Sequence, residues 1–328
     1  MDINIKDYEI FKQNSYQPFS NNGNDYLLNR EPYLDIVLSD YCNANCSFCI
    51  ADLIHNKLTL DLTQAKQKIE FAMKYMNVKE VLLLGGEPTM SKQLVPFIKH
   101  LSTLGLNKIC MTTNGILLAH NDKLRNEVLS SGLTHLNVSL MSINDKQQHL
   151  ITQPKGKQLY YFPDVLKIAE VAHSNNIKVR INNNIFKGNN NTLRDVVHFY
   201  NCLHEAVDSV KFSPLLKTDS FSVIDIKTKW VNEHILSDEE YDTLFQSVED
   251  YYSNALVMSI ITNEEQFGFV KNSMIPLATP IILNWNQHGQ MMNKVVNEHK
   301  INNLKILPNG ELSLSWNREM TQYYIKTT

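Results

Sequence analysis

The 328-residue chain lacks any apolar run approaching the ~18–20 residues that a membrane-spanning helix needs, so no span is read in it. Its first residues, MDINIKDYEIFKQ, have neither a basic start nor an apolar core and do not read as a secretory signal. A large excess of either sign of charge is lacking as well. A formal net charge of −3 gives no strong electrostatic case for nucleic acid as the main partner. Cysteine is limited to Cys42, Cys46, Cys49, Cys110 and Cys202. Five is an odd count, and three of them crowd into one short stretch, which argues against a disulfide framework. A reduced, cytoplasmic compartment and a metal site are expected instead. There is no internal repeat and no long low-complexity tract, and the polar stretch Gly188–Thr192 reads as a loop.

What is present is ordinary globular material, 43% hydrophobic and 20% charged. The length suits one large α/β domain with an appendage, or two modest domains. Residues 1–32 carry weak periodicity, and Asn21–Asp25 looks like a linker or turn. From residue 33 the pattern alternates. Leu34–Leu38 is a short apolar strand, and Ala65, Ile69, Ala72, Met73 and Met76 fall at helical spacing. Glu80–Leu84 (EVLLL) reads as a strand buried on both faces. Further strands are expected over Lys108–Thr113, His135–Met141, Ile177–Ile185 and Val207–Phe212, with helices between them. Six strands, the first five each followed by a helix, imply an α/β fold with parallel strands. The rhythm changes near residue 217. Ser237–Glu240 has the form of a capping box opening a helix, and Pro308–Gly310 separates two strands of a hairpin. The division expected is an N-terminal extension (1–32), a six-unit β/α layer (33–216) and an α+β C-terminal extension (217–328) that covers the open end.

Cys42, Cys46 and Cys49 have the spacing C-x3-C-x2-C directly after the first strong strand. Ligands gather in the loops after parallel strands, and thiolates suit iron–sulfur clusters or zinc. Three thiolates on a four-iron cluster leave one iron open. Structural zinc needs a fourth ligand, for which His55 is available.

This loop resembles that of the radical S-adenosylmethionine (SAM) superfamily, with Phe48 at its aromatic position. The likeness continues through Gly85-Gly86-Glu87-Pro88 after the next strand, the GGEP motif whose backbone binds the methionine part of SAM. Read alone, that segment is a turn with Pro88 starting a helix. Further segments are similar to the branch containing the molybdenum-cofactor GTP cyclase: Thr112–Gly115 (TTNG), Asn137–Leu140 (NVSL) and Lys178–Gly188 (KVRINNNIFKG). The resemblance implies a partial (β/α)6 TIM-like barrel holding one [4Fe-4S] cluster on Cys42, Cys46 and Cys49. It also implies SAM contacts from Phe48, Gly85, Gly86, Glu87, Pro88, Thr112, Asn114, Ser139, Arg180 and Asn182. The structural alternatives are a strand-end hydrogen bond for Thr112 and a barrel-interior ion pair for Arg180.

The chain departs from that branch in two ways. Met141 stands where the branch has an aspartate, and no cysteine follows Cys202 to hold a second cluster. GTP cyclisation is therefore not expected. The resemblance implies an enzyme in which an external one-electron reductant of flavodoxin or ferredoxin type drives reductive cleavage of SAM. The resulting 5′-deoxyadenosyl radical takes hydrogen from a peptide or small natural product; nucleotide or nucleoside modification is the alternative. A non-catalytic electron carrier or a zinc-structured module would need no GGEP pocket. Cys110 is a candidate hydrogen-atom donor or a small core residue, and Cys202 reads as core. Tyr160 and Tyr161 read as packing. Trp285 and Trp316, near Asn284, Asn286 and His288, suit either a ligand wall or a packed hairpin.

Overall fold

The computed structural model describes residues 15–49, 57–156, 160–216, 226–256, 260–264, 271–285, 300–316 and 321–327. It opens on a hairpin. Strands β1 (Tyr16–Asn21) and β2 (Asn24–Val37) pair antiparallel around Asn22 and Gly23, both at positive φ. That left-handed conformation costs asparagine and glycine little. Strand β2 is 14 residues long and crosses residue 32 without a break.

The β/α alternation follows. Helix α1 (Leu62–Met76) buries Ala65, Ile69, Ala72 and Met76, while Met73 is only partly buried at the margin of that stripe. Its start is fixed by Asp61, whose carboxylate accepts from the Thr63 and Gln64 amides. Then come β3 (Glu80–Leu84), a 3-10 turn at Pro88–Met90, α2 (Leu94–Ser102), β4 (Lys108–Thr113), α3 (Ile116–His120) and α4 (Asp122–Leu129). They are followed by β5 (His135–Ser139), α5 (Asp145–Thr152), α6 (Phe162–His173), β6 (Lys178–Ile185), α7 (Leu193–Asn201) and β7 (Ser209–Pro214). The expected six-unit layer is present, with α3 and α5 as short additions. Strand β5 stops at Ser139, two residues early, because Met141 turns away under the side chain of Gln148, which accepts its amide.

The C-terminal part contributes α8 (Ile226–His234), α9 (Asp238–Leu256), β8 (Ile261–Glu264), β9 (Lys271–Ile275), β10 (Ile281–Asn284), β11 (Lys300–Ile306) and β12 (Leu312–Ser313). The capping box forms: the Ser237 amide donates to Glu240, and the Glu240 amide donates to the Ser237 hydroxyl. The hairpin forms too, with Lys305 opposite Ser313. Its two strands, however, belong to the main sheet. The strand order is β12-β11-β2-β3-β4-β5-β6-β7-β10-β9-β8, with β1 attached to β2. Strand β11 pairs parallel with β2 at one side, and β10 pairs parallel with β7 at the other. Among the described residues, β11, β2 to β7 and β10 thus form one run of eight parallel strands whose ends do not meet. The sequence pattern orders strands along the chain and carries no record of pairing between residues 35 and 305.

The two faces of this sheet differ. Leu34, Ile36, Val81, Leu83, Ile109, Met111, Leu136, Val138, Val179, Ile181, Val210 and Phe212 are buried in one cluster with the helix faces. Each such side chain contributes roughly 1.5–3 kcal/mol. The alternate residues point to the other face. There Leu82 and Leu84 are only half-buried, so the EVLLL strand is not covered equally on both sides. The same face carries Thr112, Ser139, Arg180, Asn182, Asn184, Lys211 and Ser213, all half-buried.

Candidate active site

Strand β2 delivers the chain into the cysteine loop at the edge of the second face. The base of the loop is tied where the Asp40 amide donates to Leu58 O (2.9 Å) and the Leu60 amide to Leu38 O (3.0 Å). The C-terminal end of α5 holds its middle. Asn45 N–H donates to Thr152 O (3.1 Å), Ser47 N–H to Ile151 O (3.0 Å) and Lys155 N–H to Asn43 O (2.7 Å). Cys42, Cys46 and Cys49 sit on this anchored loop, free and half-buried.

The loop after β3 lies edge to edge with it. Gly86 N–H donates to Ser39 O (2.6 Å) and Glu87 N–H to Tyr41 O (2.8 Å). A Cβ on Gly85 would fall 2.4 Å from Ser39 O, and one on Gly86 would fall 2.0 Å from Tyr41 O. Gly85 is also at φ +141°. Only glycine lets these backbones approach so closely.

Glu87 is buried and faces protein groups. Its Oε1 accepts from the Thr89 amide and hydroxyl and from the Thr113 hydroxyl (2.7 Å). Its Oε2 accepts from the Asn114 amide (2.7 Å). Burial pushes this carboxyl above the usual range, opposed by the same hydrogen bonds. Glu87 therefore clamps the loop after β3 to the loop after β4. Pro88, buried behind it, starts the 3-10 turn. Asn114 completes the join. Its Oδ1 accepts from the Ile116 amide (3.0 Å), and its Nδ2 donates to Asn43 Oδ1 (2.8 Å) and toward Cys42 Sγ (3.6 Å).

Three strands supply the rest. Asn137 on β5 donates to the Thr112 hydroxyl on β4 (3.2 Å). Ser139 pairs in register with Asn182 on β6, so both share the second face. Arg180 donates through Nε to Asn182 Oδ1 (3.1 Å), a neutral partner and not the ion pair considered from sequence. Phe48 packs beside Phe186 with ring centroids 6.4 Å apart.

The loop fits a group held by three thiolates with an amide aimed at one sulfur. Among the described residues, no three His, Cys, Asp or Glu side chains gather as they would around a single ion. His55 lies outside the described residues. Burial raises the thiol pKa of both Cys42 and Cys46. The Ala44 amide and Lys155 lower that of Cys42, while Glu87 and Cys49 raise it further.

Cys110 is buried on β4 between Leu82 and His135 in register, on the same face as Thr112. The remaining candidates fall elsewhere. Cys202 is a half-buried C-cap of α7, not a core residue. Tyr160 is buried against Gly115, and Tyr161 caps α6. Trp285 donates to the Ser273 hydroxyl (2.7 Å) and packs on Phe245, so it serves the C-terminal strands. Trp316 lies beside Lys305. Asn286 and His288 lie outside the described residues. Sequence reasoning missed Asn43, Lys155, Gln148 and Lys211. Lys211 was discoverable by alternation, because it stands between Val210 and Phe212 in an expected strand; in the structure it pairs in register with Asn182 and shares its face. A cavity of about 510 Å³ between Lys68, Glu311 and residues 321–327 includes none of the loop residues described above.

A family model described as "Radical SAM superfamily" matches residues 36–203, just over half of the chain. GTP 3',8-cyclase of Clostridium perfringens is 32% identical over 172 residues, which is 51% of this chain and 50% of that protein. The enzyme of the same name from Psychromonas ingrahamii is 27% identical over 213 residues, 62% of this chain and 60% of that one. The chain thus spans about half the length of the curated relatives it matches. Among solved structures, Streptococcus suis SuiB bound to S-adenosylmethionine superposes with TM-score 0.55 at 19% identity, covering 70% of this chain and 49% of that one. The structure titled native anSMEcpe with bound AdoMet gives TM-score 0.52 at 15% identity, covering 69% and 61%. These structural likenesses establish the fold.

Proposed function

The chain belongs to the radical SAM superfamily, whose members use a [4Fe-4S] cluster and SAM, and we propose that it cleaves SAM reductively to abstract hydrogen from a peptide or small natural product. The observation that carries the chemistry is the joined pair of loops, with Cys42, Cys46 and Cys49 on one and the Gly85–Pro88 backbone hydrogen-bonded along it. When bound, the cluster supplies one electron to SAM, which divides into methionine and a 5′-deoxyadenosyl radical. Cys42, Cys46 and Cys49 are the ligands in this reading. The backbone after Gly85 receives the methionine part, and Ser139 and Asn182 line the remainder of the SAM site. Thr112 is held by Asn137, and Glu87 sets the distance between the loops without touching SAM through its side chain. Lys211, Asn184, Ser213 and Asn284 continue the second face toward β10 and supply polar contacts to substrate. Electrons come from a flavodoxin- or ferredoxin-type donor.

The substrate class rests on the departures from the cyclase branch, Met141 in place of its aspartate and no cysteine after Cys202 in this sequence, which favour a peptide or small natural product over a free nucleotide. SuiB has been solved with its precursor peptide SuiA, which agrees with that class on the same fold. Nucleotide modification stays as the second reading because the relatives from Clostridium perfringens and Psychromonas ingrahamii are GTP 3',8-cyclases.

Anaerobic reconstitution should load about four irons per chain, and replacing Cys42, Cys46 and Cys49 with alanine should abolish the cluster absorption. With dithionite the loaded protein should turn SAM slowly into 5′-deoxyadenosine and methionine. Loaded protein that makes neither is an electron carrier. Deuterium transfer from labelled peptides, but not from labelled nucleotides, into 5′-deoxyadenosine decides between the two substrate readings.

A further inference from the structure

Asn114 stands where the resemblance implies a SAM contact, yet its side chain is committed elsewhere. Its backbone amide is fixed on Glu87 Oε2 (2.7 Å). Its Oδ1 accepts from the Ile116 amide at the start of α3 (3.0 Å). A backbone N–H can face only the oxygen of a carboxamide, so the orientation of this side chain is set. The Nδ2 group therefore turns to the cysteine loop. It donates to Asn43 Oδ1 (2.8 Å) and toward Cys42 Sγ (3.6 Å). An amide nitrogen carries two hydrogens, so no donor is left for SAM. Cys42 Sγ receives a second N–H, from the Ala44 amide (3.4 Å). Among the described residues, no N–H reaches the sulfur of Cys46 or Cys49. The three thiols are thus not equivalent, because the donors converge on Cys42.

We propose that Asn114 is a positioning residue that serves the Cys42 ligand and not SAM, joining the Ala44 amide in directing N–H groups at the Cys42 sulfur so that the reduced cluster is favoured. The inference rests on the functional reading above, in which Cys42 is a cluster ligand. An N–H aimed at a ligand sulfur stabilises negative charge there, and the reduced cluster carries more of that charge. Glu87, Asn114 and Cys42 then form one series. The carboxylate of Glu87 fixes the backbone of Asn114, and the side chain of Asn114 fixes both Asn43 and the sulfur beside it. Asn114 acts through Cys42, so its loss should move the potential of the cluster and leave the affinity for SAM in place.

The test uses the full chain, reconstituted anaerobically and without substrate. Iron content, a potentiometric titration followed by electron paramagnetic resonance, and calorimetric SAM binding to the oxidised protein are measured for the wild type, Asn114→Ala and Asn114→Ser. Asn114→Ala should load iron but be harder to reduce. Its ratio of reduced to oxidised cluster at fixed potential should fall about threefold, equal to ~28 mV for a one-electron couple. Its SAM affinity should stay within about twofold of the wild type. Serine keeps an oxygen for the Ile116 amide but is too short to reach Cys42. Asn114→Ser should therefore match Asn114→Ala, and it decides alone if Asn114→Ala does not fold. SAM binding weakened tenfold or more in a loaded variant makes Asn114 a SAM contact and overturns this inference, leaving the functional reading standing. A wild-type midpoint in the loaded variants overturns it in the same way. A wild-type chain that takes up no iron overturns both.

Discussion

The two faces of the sheet are built from alternate residues of the same strands, and they obey different physics. On the helix-covered face, Leu34, Ile36, Leu136, Val138, Ile181 and Phe212 are held by exclusion from water and close packing. On the other face, Thr112, Asn137, Ser139, Arg180 and Asn182 are held by hydrogen bonds and register. The first face decides whether the chain folds. The second decides what the folded chain can bind. A residue moved by one position along β6 changes from one role to the other.

That contrast is open to direct attack. The largest effect is expected from Phe212→Ala, since Phe212 is fully buried and packs edge-on against Phe199 at 5.7 Å. It should cost about 3–5 kcal/mol in urea unfolding of the cluster-free chain. A loss below about 1 kcal/mol would show that this face is not the folding core.

Glu87→Gln comes next, because Glu87 belongs to neither face and joins two loops. An amide cannot accept all four donors that surround the carboxylate, so a loss of about 1–3 kcal/mol is expected. The pH dependence gives a second reading. Burial raises the folded-state pKa of Glu87, so the folded chain binds this proton more tightly than the unfolded chain. Its contribution to stability is full below the unfolded value near ~4.3 and is lost as pH rises through the folded value. Glu87→Gln should flatten that part of the stability curve. A curve with the wild-type slope would mean that Glu87 is not the group responsible.

The smallest stability change, under about 0.5–1 kcal/mol, is expected from Asn182→Ala on the second face. Its SAM binding, measured calorimetrically on reconstituted protein, should nevertheless weaken about tenfold. Should stability fall as far as in Phe212→Ala with SAM binding unchanged, the division of labour between the faces would be wrong.

Much of the helix-covered face was legible, because apolar spacing is a local signal and Ala65, Ile69 and Ala72 announce themselves. The cysteine loop and Gly85–Pro88 were legible as a resemblance, and the structure adds why the glycines are there: a Cβ has no room against Ser39 and Tyr41. Other features were hidden by distance along the chain. Nothing in Ile281–Asn284 or Lys300–Ile306 announces that these segments flank β7 and β2 in parallel. Asn43 and Asn114 are 71 residues apart, and neither carries a mark of their hydrogen bond. Asn21–Asp25 reads as a linker or turn and is the turn of the N-terminal hairpin, but the strands on either side were hidden because β1 mixes polar and apolar residues without strict alternation. Its edge is settled by pairing with β2.

The placement of β10 and β11 has a consequence for biosynthesis. Both flanks of the six-strand layer are completed by segments translated after it. Asn303 hydrogen-bonds to Asp35 across 268 residues of chain. At ~5–20 residues per second, a nascent chain carries β2 and β7 as bare edges for seconds before their partners leave the ribosome. Bare edges invite pairing with other chains. This protein should therefore lean on chaperones during translation, and a ribosome stalled before β10 should present a species far more prone to aggregate than the finished chain.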